Sequence, residues 1–115
     1  MYKLLDKEND EGNLEYKLLI NKNKNINLTT QFFFRLREGN GKCIYIIGID
    51  DNGFLLFKNF KIIFKSNFNF INIINKYNNI KYKLRFFSIN KYIYSIITFY
   101  NKQIINNNFI DFANY

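Results

Sequence analysis

Apolar and polar positions change period several times along this chain, and each change marks an element. Residues 14–20 (LEYKLLI) alternate in part, which predicts a strand. Residues 21–27 (NKNKNIN) are polar and basic and read as a loop. Leu28, Phe32 and Leu36 then recur at four-residue spacing, so a helix is expected over 28–37, capped by Asn27 or Thr29. Gly39 falls where a helix stops in the left-handed conformation, which makes Gly39-Asn40-Gly41 a tight exposed turn. Residues 42–50 (KCIYIIGID) are the clearest strand. Asp51-Asn52-Gly53 follows as a hairpin turn, because Asn and Gly tolerate positive φ, and 54–57 is the returning strand. Residues 59–77 place Phe60, Ile63, Phe64, Phe70, Ile71, Ile74 and Tyr77 in a helical stripe. Their β-branched and aromatic side chains weaken helix propensity, but the segment is too long for an ordinary strand, so a helix is expected, ended by Asn78-Asn79. Residues 80–89 and 92–100 alternate well and are joined by Asn90-Lys91 in a second hairpin. The order β-α-β-β-α-β-β predicts a small α+β domain, a mainly antiparallel sheet with two helices on one face. Residues 1–10 are polar and expected to be flexible. The Asn-rich tail, 101–115, carries Phe109, Phe112 and Tyr115. No repeat or boundary divides the 115 residues, which suit one domain.

Composition narrows the chemistry. Hydrophobic residues make up 48%, enough for a real core. Pro, Trp and His are absent, and Asn and Ile form about a third of the chain, the mark of AT-rich coding. The net charge is +8 and it is unevenly placed. Asp6, Glu8, Asp10, Glu11 and Glu15 lie in the first fifteen residues, and a basic body follows. Such a body suits a phosphate-rich partner (RNA, DNA or an anionic membrane), or it keeps an aromatic-rich surface in solution. Cys43 is the single cysteine, so an intramolecular disulfide is excluded, and without histidine a zinc site has few ligands. No run has the length of a signal-peptide core or a membrane span, and a reducing, cytoplasmic setting is expected.

Catalysis has little to work with. No histidine serves as a general base, and Ser66, Ser88 and Ser95 lack a nucleophile-elbow setting. Asp50 and Asp51 are neighbours that point to opposite faces of a strand, and a turn role explains Asp51 better. Cys43 beside Lys42 is either a small core filler or a thiol of lowered pKa. No Walker loop is present, so no cofactor and no nucleotide are expected and the reading is a binding protein. Two groups suit RNA. Arg35, Arg37, Asn40 and Lys42 surround the glycine turn, where arginine forks and backbone N–H groups can meet phosphates; the alternative is a solvated helix end favoured by the dipole. Lys81, Lys83, Arg85 and Lys91 are interleaved with Tyr82, Phe86 and Tyr92, which suits phosphate neutralisation with base stacking, or else a half-buried strand with a charged outer face. Stacking requires the ring of Tyr92 or Tyr94 on the basic side.

Three motifs in order carry a family resemblance. Glu11 to Leu18 read EGNLEYKL; Thr30, Gln31, Arg35, Leu36, Glu38, Gly39 and Gly41 match a TQ…RL-x-EG-x-G helix end; Tyr45, Ile47, Gly48, Asp51, Asn52, Gly53 and Leu55 match a Y-x-IG-x-x-DNG-x-L hairpin. The block resembles the segment ahead of the GTPase domain in the GTP-binding protein one and two family of translational-type GTPases. The GTPase domain itself has no counterpart here, and beyond Leu55 the match fades. What remains is similar to the free-standing microsporidian ribosome dormancy factor. That resemblance implies a ribosome-binding domain over 1–115 that occupies the tRNA exit site, touches rRNA and ribosomal proteins, competes with deacylated tRNA and blocks translation. On that reading the basic groups above, Arg35, Arg37, Asn40, Lys42, Lys81, Lys83, Arg85 and Lys91, would make the rRNA contacts. Glu11, Gly12, Asn13, Gln31, Gly39, Gly41, Asp51, Asn52 and Gly53 would form turns that face the ribosome. Neither membrane nor metal has a part in that expectation. A constitutive ribosomal or general RNA-binding subunit is the alternative, and a thiol enzyme using Cys43 is a third.

Overall fold

The long alternation over residues 80–101 builds the centre of the fold. In the computed structural model, which describes residues 1–23, 25–77 and 79–101, the order is β1 (Tyr2–Lys3), β2 (Leu14–Lys17), α1 (Asn25–Glu38), β3 (Lys42–Ile47), β4 (Phe54–Leu55), α2 (Phe60–Ile74), β5 (Ile80–Ile89) and β6 (Tyr92–Asn101). A four-stranded sheet runs β2-β3-β6-β5. Its β2–β3 pair is parallel and the other two pairs are antiparallel. The β5–β6 hairpin turns on Asn90 and Lys91, both at positive φ (49° and 68°), as two-residue hairpin loops require. The α+β class with two helices holds. The helix stop at Asn78 and the tail with Phe109, Phe112 and Tyr115 lie outside the described residues.

Both helices pack on one face of the sheet. Leu28, Phe32 and Leu36 of α1 meet Cys43, Tyr45 and Ile47 of β3, Ile97 and Phe99 of β6, and Phe70, Ile73 and Ile74 of α2. Four rings form its middle: Phe32 and Phe99 stand edge to face at 5.0 Å, Tyr45 and Phe70 at 4.6 Å, and Phe70 and Phe99 at 4.9 Å. Burying each such ring contributes on the order of 2–3 kcal/mol, before about 1 kcal/mol of edge-to-face attraction per pair. Several polar groups inside are paired. Asn67 Nδ2 donates to Ser95 Oγ (2.7 Å) and to Ile63 O, and Ser66 Oγ accepts the Ile20 N–H.

Several boundaries differ from the sequence pattern. α1 begins at Asn25, so Asn27 and Thr29 lie inside the helix and neither caps it. The stripe on α2 is turned: Ile63, Ser66, Asn67, Phe70, Ile73 and Ile74 are buried, while Phe60, Phe64 and Tyr77 are exposed. The Asn67–Ser95 and Ser66–Ile20 bonds select that face, which a purely apolar stripe overlooks. β2 ends at Lys17, and the strand after the Asp51-Asn52-Gly53 turn shortens to β4.

The acidic lead, expected to hang free, is tied down instead. β1 pairs antiparallel with β4, giving the element order one more strand than expected. Leu4 N donates to Gly53 O (2.8 Å) and Glu8 N to Asp51 O (2.8 Å). Tyr2, Leu4 and Leu5 pack on Tyr16, Ile46, Ile49 and Leu55, covering part of the sheet face opposite the helices. No described helix is long and apolar enough to cross a membrane.

Candidate nucleic-acid interface

At one end of the sheet, α1 stops, β3 starts, β5 starts and β6 ends. The helix stop uses Asn40 (φ 53°) and Gly41 (φ 96°) as its left-handed residues. Gly39, expected in that role, serves close approach: a Cβ there would lie 1.8 Å from the Lys42 carbonyl oxygen and 2.7 Å from the Asn13 Cβ. Asn13 Nδ2 donates to Lys42 O, and Asn101 N donates to Gly41 O (2.7 Å). The turn is thereby fastened to both β2 and β6.

Register decides what faces outward here. Lys42 lies across from Tyr100 in the β3–β6 ladder, and Lys81 lies across from Tyr100 in the β5–β6 ladder. Directly paired residues share a face. Lys83 pairs with Thr98, Arg85 with Ile96, Phe87 with Tyr94 and Ile89 with Tyr92. The face away from the helices therefore carries Lys42, Lys81, Lys83 and Arg85 beside Tyr100, Tyr94 and Tyr92. The condition for stacking, rings of Tyr92 or Tyr94 on the basic side, is met. Lys42 Nζ lies 5.7 Å and Lys83 Nζ 5.9 Å from the Tyr100 ring centroid. Phe87 and Tyr94 stack at 5.1 Å. Lys81, Tyr82, Lys83 and Tyr100 line a hollow of about 290 Å³. Arg37 and Asn40 line another of about 520 Å³ with Phe33, Leu36, Gly41 and Asn101.

Arg35 does not join this surface, which corrects its expected role as an RNA contact. Its side chain is buried, with Nε 2.8 Å from Glu15 Oε1. Its other nitrogens donate to Gly12 O and Asn9 O, both at 2.9 Å. Each of its three guanidinium nitrogens thereby helps join α1 to the β2 entry. The helical spacing offered a signal: position 35 follows Leu28 and Phe32 on the buried face. Arg35–Glu15 is the only ion pair among the described residues, so Arg37, Lys42, Lys81, Lys83 and Arg85 have no described carboxylate within 4.0 Å.

The other candidates separate. Glu11 and Gly12 are exposed at the end that holds the glycine turn, and Gly12 N donates to Glu38 Oε1. Gln31 lies on α1, beside a hollow it shares with Lys17, Ile20 and Asn27, and its Oε1 has no described partner. Asp51, Asn52, Gly53 and Lys91 sit at the opposite end. There Asp50, not Asp51, shapes the turn, its Oδ1 accepting Asn52 N and Phe54 N at 2.9 Å each. Gly53 (φ 90°) carries no Cβ because Leu5 O approaches the place it would take. Glu8, which the sequence did not single out, accepts the Tyr16 N–H of edge strand β2. Burial raises its carboxyl to about 7, with Glu15 and Asp51 adding to the rise. Cys43 is buried, and burial pushes its thiol up to about 12, against a smaller opposite pull from Arg35. Such a thiol is nearly all protonated near neutrality, far from the lowered pKa of a nucleophile.

Fold and site together define an α+β domain whose outer sheet face presents tyrosines and cations that have no carboxylate partner among the described residues. Part of the chain is related to a known protein. Over 55 residues it is 46% identical to GTP-binding protein 2 of Mus musculus and, equally, of Homo sapiens. The match takes in 45% of this chain, which spans about 9% of the length of those relatives. No family model matches the chain, and no solved structure matches it.

Proposed function

We propose that this chain is a non-enzymatic ribosome-binding factor that occupies the tRNA exit site, excludes deacylated tRNA and blocks translation as a dormancy factor. The single observation that carries the reading is the gathering of Lys42, Lys81, Lys83 and Arg85 on one exposed face without carboxylate partners among the described residues. Cations left unpaired by the fold are available to phosphates, and rRNA supplies phosphates at high density. The partial identity to GTP-binding protein 2 and the three ordered motifs support a link to translation. Arg37 and Asn40 extend the cationic end on the helix side. Glu11, Gly12, Asn13, Gly39 and Gly41 shape its rim. Gln31, Asp51, Asn52, Gly53 and Lys91 lie elsewhere and would meet other parts of the ribosome.

Co-sedimentation with idle ribosomes tests this. Binding should weaken steeply as salt rises, and deacylated tRNA should displace the protein. A Lys42→Gln, Lys83→Gln, Arg85→Gln variant should lose most of the bound fraction while melting at the wild-type temperature. Equal abundance on polysomes and idle monosomes would instead identify a constitutive subunit.

A further inference from the structure

We infer that the sheet face around Tyr100 is a stacking site for unpaired RNA nucleotides, not merely a cushion for phosphates. The inference deepens the ribosome reading and rests on it for the source of the RNA.

Tyr100 is the centre of the site. Cross-strand neighbours on both sides are lysines, Lys42 on β3 and Lys81 on β5. Two ammonium groups, from Lys42 and Lys83, lie within 6 Å of one ring centroid with no described carboxylate within 4.0 Å. An anion beside the ring gains the attraction of both ammonium groups. A bound phosphate does so, and a base attached to it would lie against the half-exposed ring. The neighbouring hollow of about 290 Å³ is near the lower bound of ordinary ligand pockets, ~300 Å³.

A second aromatic station continues the path. Tyr94, stacked on Phe87, is six residues back along β6, about 20 Å away at ~3.4 Å per residue. Lys83 and Arg85 pair with the β6 residues between the two stations. A strand of unpaired nucleotides can thus place bases on rings and phosphates on cations in alternation. Paired bases cannot do this, because their faces are already stacked within the duplex. One RNA-recognition module, itself a four-stranded sheet, stacks single-stranded bases on rings of that sheet for the same reason.

The test uses the full chain with fluorescein-labelled eight-nucleotide poly(A) RNA, a twelve-base-pair RNA duplex and an oligoglutamate peptide, all at low salt. Wild type should bind the single strand at least tenfold tighter than the duplex or the peptide. Tyr100→Leu should weaken single-strand binding about 5- to 150-fold, the loss of one stacked base, with duplex binding within twofold. Tyr100→Phe keeps the ring and should bind like wild type, which controls for folding if the leucine variant is unstable. Equal binding of strand and duplex, unchanged binding by a folded Tyr100→Leu protein, or preference for the acidic peptide would each overturn the inference. If ribosome co-sedimentation survives such a result, the ribosome reading stands without the stacking site. If the single strand is bound through Tyr100 but ribosomes are ignored, the stacking site stands and the ribosome reading falls.

Discussion

Arg35 and Lys42 show at the scale of single residues how similar cations take opposite parts. Arg35 is held on the buried side of α1, where Glu15, Gly12 and Asn9 satisfy it; Lys42 leaves the glycine turn outward and lies over the Tyr100 ring. Removing Arg35 leaves the Glu15 carboxylate buried without its cation, a cost of about 3–5 kcal/mol. Arg35→Ala should therefore lower the urea midpoint sharply or prevent folding, while exposed Arg37→Ala should shift stability by less than ~0.5 kcal/mol. A pair of equal small shifts would show that the Glu15 contact is not what holds the two elements. Tyr45 is the converse case, a fully buried ring whose hydroxyl has no described partner. Burial pushes that hydroxyl upward, so it stays protonated. Its loss in Tyr45→Phe should leave stability unchanged or raised, since an unsatisfied buried polar group costs about 1–3 kcal/mol.

Among the elements, the N-terminal lead is the one whose attachment depends on pH. Glu8 has a carboxyl raised to about 7 from an ordinary 4.5, chiefly by burial, then by Glu15 and Asp51. The docked lead therefore holds a proton that the detached lead releases near 4.5. The resulting stabilisation is full below about 4.5, falls as pH rises from there to about 7, and changes no further above. Exchange of the Tyr16 amide, corrected for its intrinsic rate, should be more protected at pH 5 than at pH 8. Glu8→Gln, which cannot ionise, should abolish the difference; protection that ignores pH in the wild type would refute the link. This element was hidden in the sequence because Tyr2, Leu4 and Leu5 make too short an apolar run, beside charged residues, to show a strand period. Pairing of Tyr2–Lys3 with Phe54–Leu55 spans some fifty residues, and no local pattern encodes it. The Asn90-Lys91 hairpin was legible for the opposite reason, since its strands are contiguous and its turn residues tolerate positive φ.

Over the whole molecule, charge is sorted rather than balanced. Asp6 and Glu8 lie against the β2 edge, both accepting hydrogen bonds from Tyr16, and Glu15 is part of β2, while Lys81, Lys83 and Arg85 occupy the β5 edge. An asymmetric cationic face steers polyanions and makes binding depend on salt. With an eight-nucleotide RNA, each phosphate-neutralising cation contributes about 0.7 to the slope of log K against log salt. Lys81→Gln with Lys83→Gln should reduce that slope by about 1.4. Lys91→Gln, at the far turn, should leave it unchanged. A uniform drop for every lysine removed would mean that net charge, not this face, governs binding.

Local spacing was enough for the α+β class, the two helices, the long hairpin and the glycine turn, because each depends on backbone bonds and side-chain periods within a few residues. It also marked Lys42, Lys81, Lys83 and Arg85 as candidates, but as two unconnected groups. Only the ladders joined them, by setting β6 between β3 and β5 and bringing Tyr100 between their lysines. The same long-range packing withdrew Arg35 from the surface, turned α2 so that Phe60 and Phe64 face outward, and anchored the lead. A residue's chain neighbours constrain its backbone; whether its charge stays unpaired depends on groups twenty to fifty positions away, which meet it only when the chain has closed on itself.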